Sequence, residues 1–187
     1  ESEAETGNKA LGVECDVADK QSVENAIEET VEAFGTIDTL ACMAATMTAR
    51  HDVVDLSEED WDRTLRVNVT GSFFACKYVI PLMRKAGRGS IILTASQMGQ
   101  VAWPGSTAYC TTKGAILQLV KGIALDHKDE NIRCNSLSPG GVATDRLLAR
   151  WGDMEMAEKE WGPKHALGRL GQPFEIASGA VFLASDE

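Results

Sequence analysis

Apolar residues fall into two patterns along this chain: short uninterrupted runs, and longer stretches in which they recur every three or four positions. Residues 11–17, LGVECDV, are a short apolar run ending in an acid and predict a strand. The following DKQSVENAIEETVEAFG sets Val23, Ala26, Ile27, Val31 and Phe34 at helical spacing and closes at Gly35, which predicts a helix. TLACMAA, between Asp38 and Thr46, is the run of small apolar residues expected of a strand buried on both faces. Ser57, with Asp60 three positions on, offers an N-cap for a long helix from about Glu58 to Met83, which Pro81 is expected to break. GSIILTAS predicts a further buried strand. Residues 107–128 predict a helix with Ala108, Ile116, Leu119, Val120 and Ile123 on one face, and NIRCNSLSPGG a strand running into a Pro-Gly turn.

The order is β-α-β-α-β-α-β. Such alternation implies parallel strands joined by right-handed helical crossovers, an α/β fold in which a three-layer open parallel sheet carries helices on both faces. Ligands of these sheets bind beyond the carboxyl ends of the strands. Four strand exits, at Asp16, Ala44 to Thr46, Ser96 and Pro139 to Thr144, are therefore expected to open onto one rim. No internal repeat or linker divides the chain, so residues 1–187 read as a single domain.

Composition narrows the partners more than the fold. The 187 residues are 44% hydrophobic and 25% charged, an ordinary globular balance, and no apolar stretch approaches the length of a membrane span. The net charge of −10 disfavours a nucleic-acid surface. It is unevenly spread: residues 1–60 hold 16 acids and 3 bases, the remainder 12 acids and 15 bases, so the later part can still bind small anions. Cys15, Cys42, Cys76, Cys110 and Cys134 are odd in number and far apart, with no CxxC motif; reduced, mostly buried thiols of a cytoplasmic protein are the simplest reading. His51, His127 and His165 have no acid or cysteine at ligand spacing, which predicts no metal site and surface or internally satisfied histidines. The first residues resemble no signal peptide, so either the protein is cytoplasmic or its beginning lies elsewhere. Glu58, Glu59 and Asp60 suit the first turn of a helix, whose dipole favours negative charge.

Chemistry concentrates late in the chain. Tyr109 and Lys113 stand four apart on one helix and so share a face. A nearby ammonium favours phenolate, so Lys113 is expected to lower the Tyr109 pKa. Ser96, at a strand end 13 residues earlier, can aim its hydroxyl at the same point. Taken singly, a Tyr and a Lys at this spacing are an ordinary surface pair.

Together with Asn68 in VNVTG, Ser96 in ILTAS, YCTTK at 109–113 and SPGGVAT at 138–144, these residues resemble, in order and separation, the classical short-chain dehydrogenase/reductase family. CDVAD and GRLGQPFEIASGAVFLASDE extend the resemblance over nearly the whole chain. The resemblance implies a Rossmann-like fold and hydride transfer between NAD or NADP and a small alcohol or ketone, in a homotetramer or dimer. It further implies that Tyr109 is the general acid-base, that Lys113 lowers its pKa and binds the nicotinamide ribose, and that Ser96 holds the substrate oxygen. Asn68 would position its helix and a relay water. Asp16 and Val17 would flank the adenine, while Ala44, Pro139, Gly140, Val142 and Thr144 would meet the rest of the cofactor. Gln97, Met98 and Trp103 would border the substrate, and the segment holding Trp151, Met154, Met156 and Trp161 would form a mobile lid, where packing in a core or subunit contact is the simpler reading of the Met and Trp residues.

Two departures stand out. Cys42-Met43-Ala44-Ala45 replaces the family's Asn-Asn-Ala-Gly stretch, and the sequence begins near the family's third strand, without the glycine-rich phosphate loop, and stops before its last strand. The domain is thus expected to be incomplete at both ends, and these 187 residues alone are expected to fold weakly and to bind dinucleotide weakly. Two other readings stay open at this point: an inactive fragment, or a scaffold subunit of the same fold. The position that selects NAD or NADP is not among these residues.

Overall fold

The computed structural model describes residues 7–187, apart from the side chains of Arg150 and Trp151. Among these residues three strands form one parallel sheet in the order β1-β2-β3, with β1 at Thr39–Cys42, β2 at Gly89–Thr94 and β3 at Ile132–Leu137. Thr39 lies beside Ser90 and Cys42 beside Leu93, while Gly89 lies beside Ile132 and Thr94 beside Leu137. All three strands therefore end together, and Ser96 leaves the sheet at that end.

Helix α1, Lys20–Phe34, begins where the Asp19 carboxylate accepts from the Ser22 backbone N–H and ends at Gly35, whose φ of 84° is the left-handed conformation that glycine adopts without strain. Ser57 caps helix α2, Glu58–Leu65, by accepting from the Asp60 N–H, and Glu58, Glu59 and Asp60 occupy its first turn. Helix α3, Gly71–Ala86, is joined to α2 by a π-helical turn, Arg66–Thr70. Pro81 does not break α3, contrary to expectation. The carbonyl it deprives of a partner belongs to Lys77, and both residues are exposed, so water serves in place of the missing N–H. The irregularity sits instead at the π turn, which contains Asn68.

Residues 11–17 form no strand either. Their apolar run has no strand beside it among the described residues, and a strand exists only through a neighbour's backbone groups. The segment instead runs against α3: a side chain on Gly71 would come within 2.9 Å of the Val17 carbonyl, so glycine is required for that approach.

The core follows from the alternation along β2. Ile91 and Leu93 are fully buried against Val79 and Met83 of α3 and Ile116 of helix α4, Thr107–Asp126. Ser90 points to the opposite face, where its hydroxyl donates to the Leu183 carbonyl at 2.9 Å in the last helix, Pro173–Ala184. Helices thus cover both faces. Arg133 on β3 donates to the carbonyls of Leu183, Ala184 and Ser185 and so closes that helix's C-terminus. Two shorter helices, α5 at Asp145–Trp151 and α6 at Met154–Trp161, lie between β3 and this last helix, α7.

All five cysteines are free; Cys76 and Cys134 are buried, Cys42 and Cys110 half-buried, and Cys15 is exposed. At Cys42, where the resembled family has an amide, the thiol meets Cys76 of α3; that contact and burial push the Cys76 pKa far above the usual thiol range, so it stays protonated. No helix among the described residues is long and apolar enough to cross a membrane.

Candidate active site

The strand ends, the start of α4 and the loop after β3 enclose a cavity of about 510 Å³. Ser96, Gln97, Met98, Tyr109, Gly140, Val142 and Thr144 line it, as does Arg146. Of the residues expected to border substrate, Trp103 does not line the cavity; its ring packs 5.1 Å from that of Trp161, which does. Pro139 is likewise outside the lining, although its carbonyl accepts from the Gln97 N–H and so ties the two strand exits together. Val17 and Ala44 line a separate hollow of about 300 Å³ beside the end of β1. Asp16 lines neither; its carboxylate accepts from the Ala18 N–H and its own N–H donates to Ser22. The exits at Ser96 and at Gly140 to Thr144 thus share one cavity, while Ala44 and Asp16 lie outside it.

Ser96 is buried, and its hydroxyl accepts from the Met98 N–H. The Ser96 side chain lies close enough to the Tyr109 phenol to favour its ionised form. Burial pushes the Tyr109 pKa up, and the Ser96 contact and the Arg146 guanidinium pull against that shift. This differs from the sequence expectation, which made Lys113 the cause of a lowered phenol pKa. The Lys113 ammonium lies over the tyrosine ring, 5.6 Å from its centre, and donates to the Thr94 carbonyl at 2.6 Å. Burial, followed by the charge of Arg146, lowers the Lys113 pKa itself to about 8.

Asn68 is buried in the π turn and all its amide atoms are engaged. Its Oδ1 accepts from the Thr46 N–H at 2.7 Å, and its Nδ2 donates to the Thr46 carbonyl and to Thr112 Oγ1. One side chain therefore ties the loop leaving β1 to the turn of α4 between Tyr109 and Lys113. Thr112 completes this link by donating to the Tyr109 carbonyl.

Sequence reasoning missed three contributors, Arg50, Arg146 and His165. Arg50 and Arg146 line the cavity from a loop and a short helix that only the fold brings together, and Trp161, expected in a lid or packed in a core, lines it too. Arg50 did carry a signal, since it is the only arginine in the first 60 residues and follows a strand exit. His165, expected to be a bland histidine, is satisfied, but by the loop that matters: its Nε2 accepts from the Gly141 N–H at 2.7 Å and its Nδ1 donates to the Trp161 carbonyl. Its ring explains both glycines, because a side chain on Gly140 would come within 2.8 Å of it and one on Gly141 within 2.9 Å. His165→Ala leaves the Gly141 N–H without its acceptor and is expected to cost about 1–3 kcal/mol. Denaturant unfolding measures this, and His165→Gln, which can still accept, is expected to recover part of it.

Trp161 and Ala157 are buried with Leu170, while Met154 packs at their edge and Met156 is exposed. Of these only Trp161 lines the cavity; the Trp151 side chain lies outside the described residues. His127 pairs with Glu130 at 2.8 Å, and no cluster among the described residues could hold a metal ion.

The whole chain, residues 1–187, matches the family model described as Enoyl-(Acyl carrier protein) reductase. It is 37% identical over 184 residues to 2-(R)-hydroxypropyl-CoM dehydrogenase of Xanthobacter autotrophicus, covering 96% of this chain and 72% of that protein. It is 38% identical over 181 residues to 2,5-dichloro-2,5-cyclohexadiene-1,4-diol dehydrogenase LinX of Sphingobium indicum, covering 97% and 71%. Among solved structures it superposes on NAD+-bound xylitol dehydrogenase with a TM-score of 0.89 at 31% identity, covering 97% of this chain and 75% of that one. On ElxO with NADP bound the TM-score is 0.86 at 29% identity, covering 92% and 69%.

Proposed function

We propose, since this chain belongs to the short-chain dehydrogenase/reductase family and has its Rossmann-like fold, that its single domain interconverts a small alcohol and ketone with NAD or NADP. The observation that carries this reading is the convergence of Ser96, Tyr109 and Lys113 beside one cavity of about 510 Å³ at the carboxyl end of the sheet. The residues suit a dinucleotide: Gly140 and Gly141 leave a wall without side chains, Thr144 offers a hydroxyl, and Val17 and Ala44 line a second hollow. In this reading Lys113, Gly140, Val142 and Thr144 hold the nicotinamide half, with Pro139 shaping their loop, and Asp16, Val17 and Ala44 hold the adenine side. When bound, the nicotinamide supplies the hydride for reduction or accepts it in oxidation.

In reduction, Tyr109 Oη gives its proton to the substrate oxygen while the Ser96 hydroxyl stabilises the charge appearing there. The phenolate left behind lies near the charges of Lys113 and Arg146. In oxidation the phenolate takes the alcohol proton. Asn68 is a positioning residue, holding the loop after β1 against α4. Gln97 and Met98 border the substrate, and Trp103 acts through Trp161.

The proposal includes a homodimer or homotetramer. Phe73 and Leu125 on α3 and α4, and Phe174, Val181 and Phe182 on α7, leave apolar surface exposed that a second copy would bury. It also includes a cytoplasmic location, which the five free thiols support.

The direct test follows absorbance of the reduced nicotinamide with a panel of secondary alcohols and ketones, each with both cofactors. Saturable, cofactor-dependent turnover is expected, and its absence with every pair would overturn the reading.

A further inference from the structure

Among the described residues two arginines and no carboxylate line the cavity, in a chain whose net charge is −10. Their surroundings differ. Arg146 donates to the Ala45 carbonyl at 2.6 Å and acts on the Tyr109 phenol and on Lys113, which places its charge next to the reacting groups. Arg50 lines the same cavity from the loop after β1. The Arg50 guanidinium lies 5.9 Å from the centre of the Trp103 ring, and among the described residues it makes no hydrogen bond and no ion pair. Its N–H donors are therefore open to another partner.

The wall behind is aromatic and cationic as well. Trp103 packs on Trp161, and the Lys164 ammonium lies 5.3 Å from the first ring and 5.1 Å from the second. Met47, Met98, Leu147 and Trp161 line the same cavity with apolar side chains. Arg50 lines the cavity yet is exposed, so water serves it beside a neutral substrate and a bound anion would take the place of that water. An anion at one end, an apolar middle and a reacting oxygen at the other would satisfy each part.

We infer that the substrate is an anionic alcohol or ketone, its reacting oxygen at Ser96 and Tyr109 and its negative group, a carboxylate or a group of like charge, held by Arg50. This rests on the dehydrogenase reading above and names the substrate class of the same site.

The holoenzyme is tested with oxo acids carrying one to three methylenes between ketone and carboxylate, each paired with the ketone that has an isopropyl group in place of the carboxylate. At the best chain length kcat/KM is expected to favour the acid by about 10- to 100-fold, the range of a charge-assisted hydrogen bond. Arg50→Gln is expected to bring that ratio to within about threefold and Arg50→Lys to restore part of it, because the charge is kept. Quenching of Trp161 fluorescence by 4-oxopentanoate, without cofactor, supplies a second readout and is expected to saturate in the wild type but not in Arg50→Gln.

If the wild type turns over the ketones as well as the acids, the inference is overturned and the dehydrogenase reading stands. If Arg50→Gln lowers cofactor affinity and leaves the ratio unchanged, the arginine serves the dinucleotide and the inference is overturned. If neither class is turned over, the dehydrogenase reading fails first, and quenching decides the anion site: saturation by 4-oxopentanoate but not by its isopropyl counterpart supports it, and equal response to both overturns it.

Discussion

Tyr109→Phe is expected to lower turnover on the order of 10³-fold, within the range that a positioned general acid-base supplies. The phenyl ring keeps the cavity wall and the contact with the Lys113 ammonium, so only the hydroxyl is removed. Ser96 keeps its bond from the Met98 N–H and stays buried. Stability is therefore expected to change by less than about 1 kcal/mol, as for other near-isosteric changes, and cofactor affinity, read by fluorescence titration, is expected to hold. The pH profile adds a further sign. Burial raises the Tyr109 pKa, so in the alcohol-oxidising direction, where phenolate is the base, the rate is expected to climb as pH rises toward that value. An unchanged rate for Tyr109→Phe would move the proton transfer to another group.

What could be read from the sequence depended on whether the information was local. Helix α1 was legible at both ends because its punctuation is local: Asp19 before it, Gly35 after it. The strand within GSIILTAS was legible because Ile91, Ile92 and Leu93, all buried, form a continuous apolar run. LGVECDV carries the same kind of run and forms no strand, because pairing is a property of neighbours and no local pattern encodes it. Pro81 misled in the opposite way. A proline breaks a helix when the freed carbonyl is buried, and burial is not visible in the residue itself. The π turn at Arg66–Thr70 had no signal; its cause lies in Asn68 reaching both Thr46 and Thr112, which are distant in sequence.

The site divides along the same line. Ser96, Tyr109 and Lys113 come from one strand end and one helix turn, so their convergence follows from the β-α order. Arg50, Arg146, Trp161 and His165 come from four loops or short helices whose meeting depends on how α5 and α6 fold back. The electrostatic expectation also failed where it depended on burial. A lysine one turn from a tyrosine suggests a depressed phenol pKa, but desolvation raises the phenol and lowers the amine, and Arg146, out of reach of any helical spacing, is the cation that acts on the phenol.

That desolvation gives Lys113→Met an unusual expected outcome: lost activity without lost stability. Lys113 is only 2% exposed, and its pKa of about 8 lies below the ordinary 10.5. A base whose pKa is depressed by folding binds fewer protons in the folded state than in the unfolded one between those two values. Stability supplied through this group therefore rises with pH from about 8 to 10.5 and is lowest below 8, where the buried group must carry its charge. Methionine has a similar reach and no charge to desolvate. It gives up the bond to the Thr94 carbonyl, a cost set against the larger one of keeping a charge buried. The melting temperature of Lys113→Met at pH 7 is expected to equal or exceed that of the wild type, and the wild-type rise in stability above pH 8 is expected to be absent from the variant. Turnover is expected to fall on the order of 10²-fold, as when a preorganised charge is removed from a water-excluded site. A variant that melts far below the wild type at pH 7 would make Lys113 a structural residue first. One that melts normally and keeps its turnover would detach the ammonium from the chemistry and leave Arg146 as the charge that answers the phenolate.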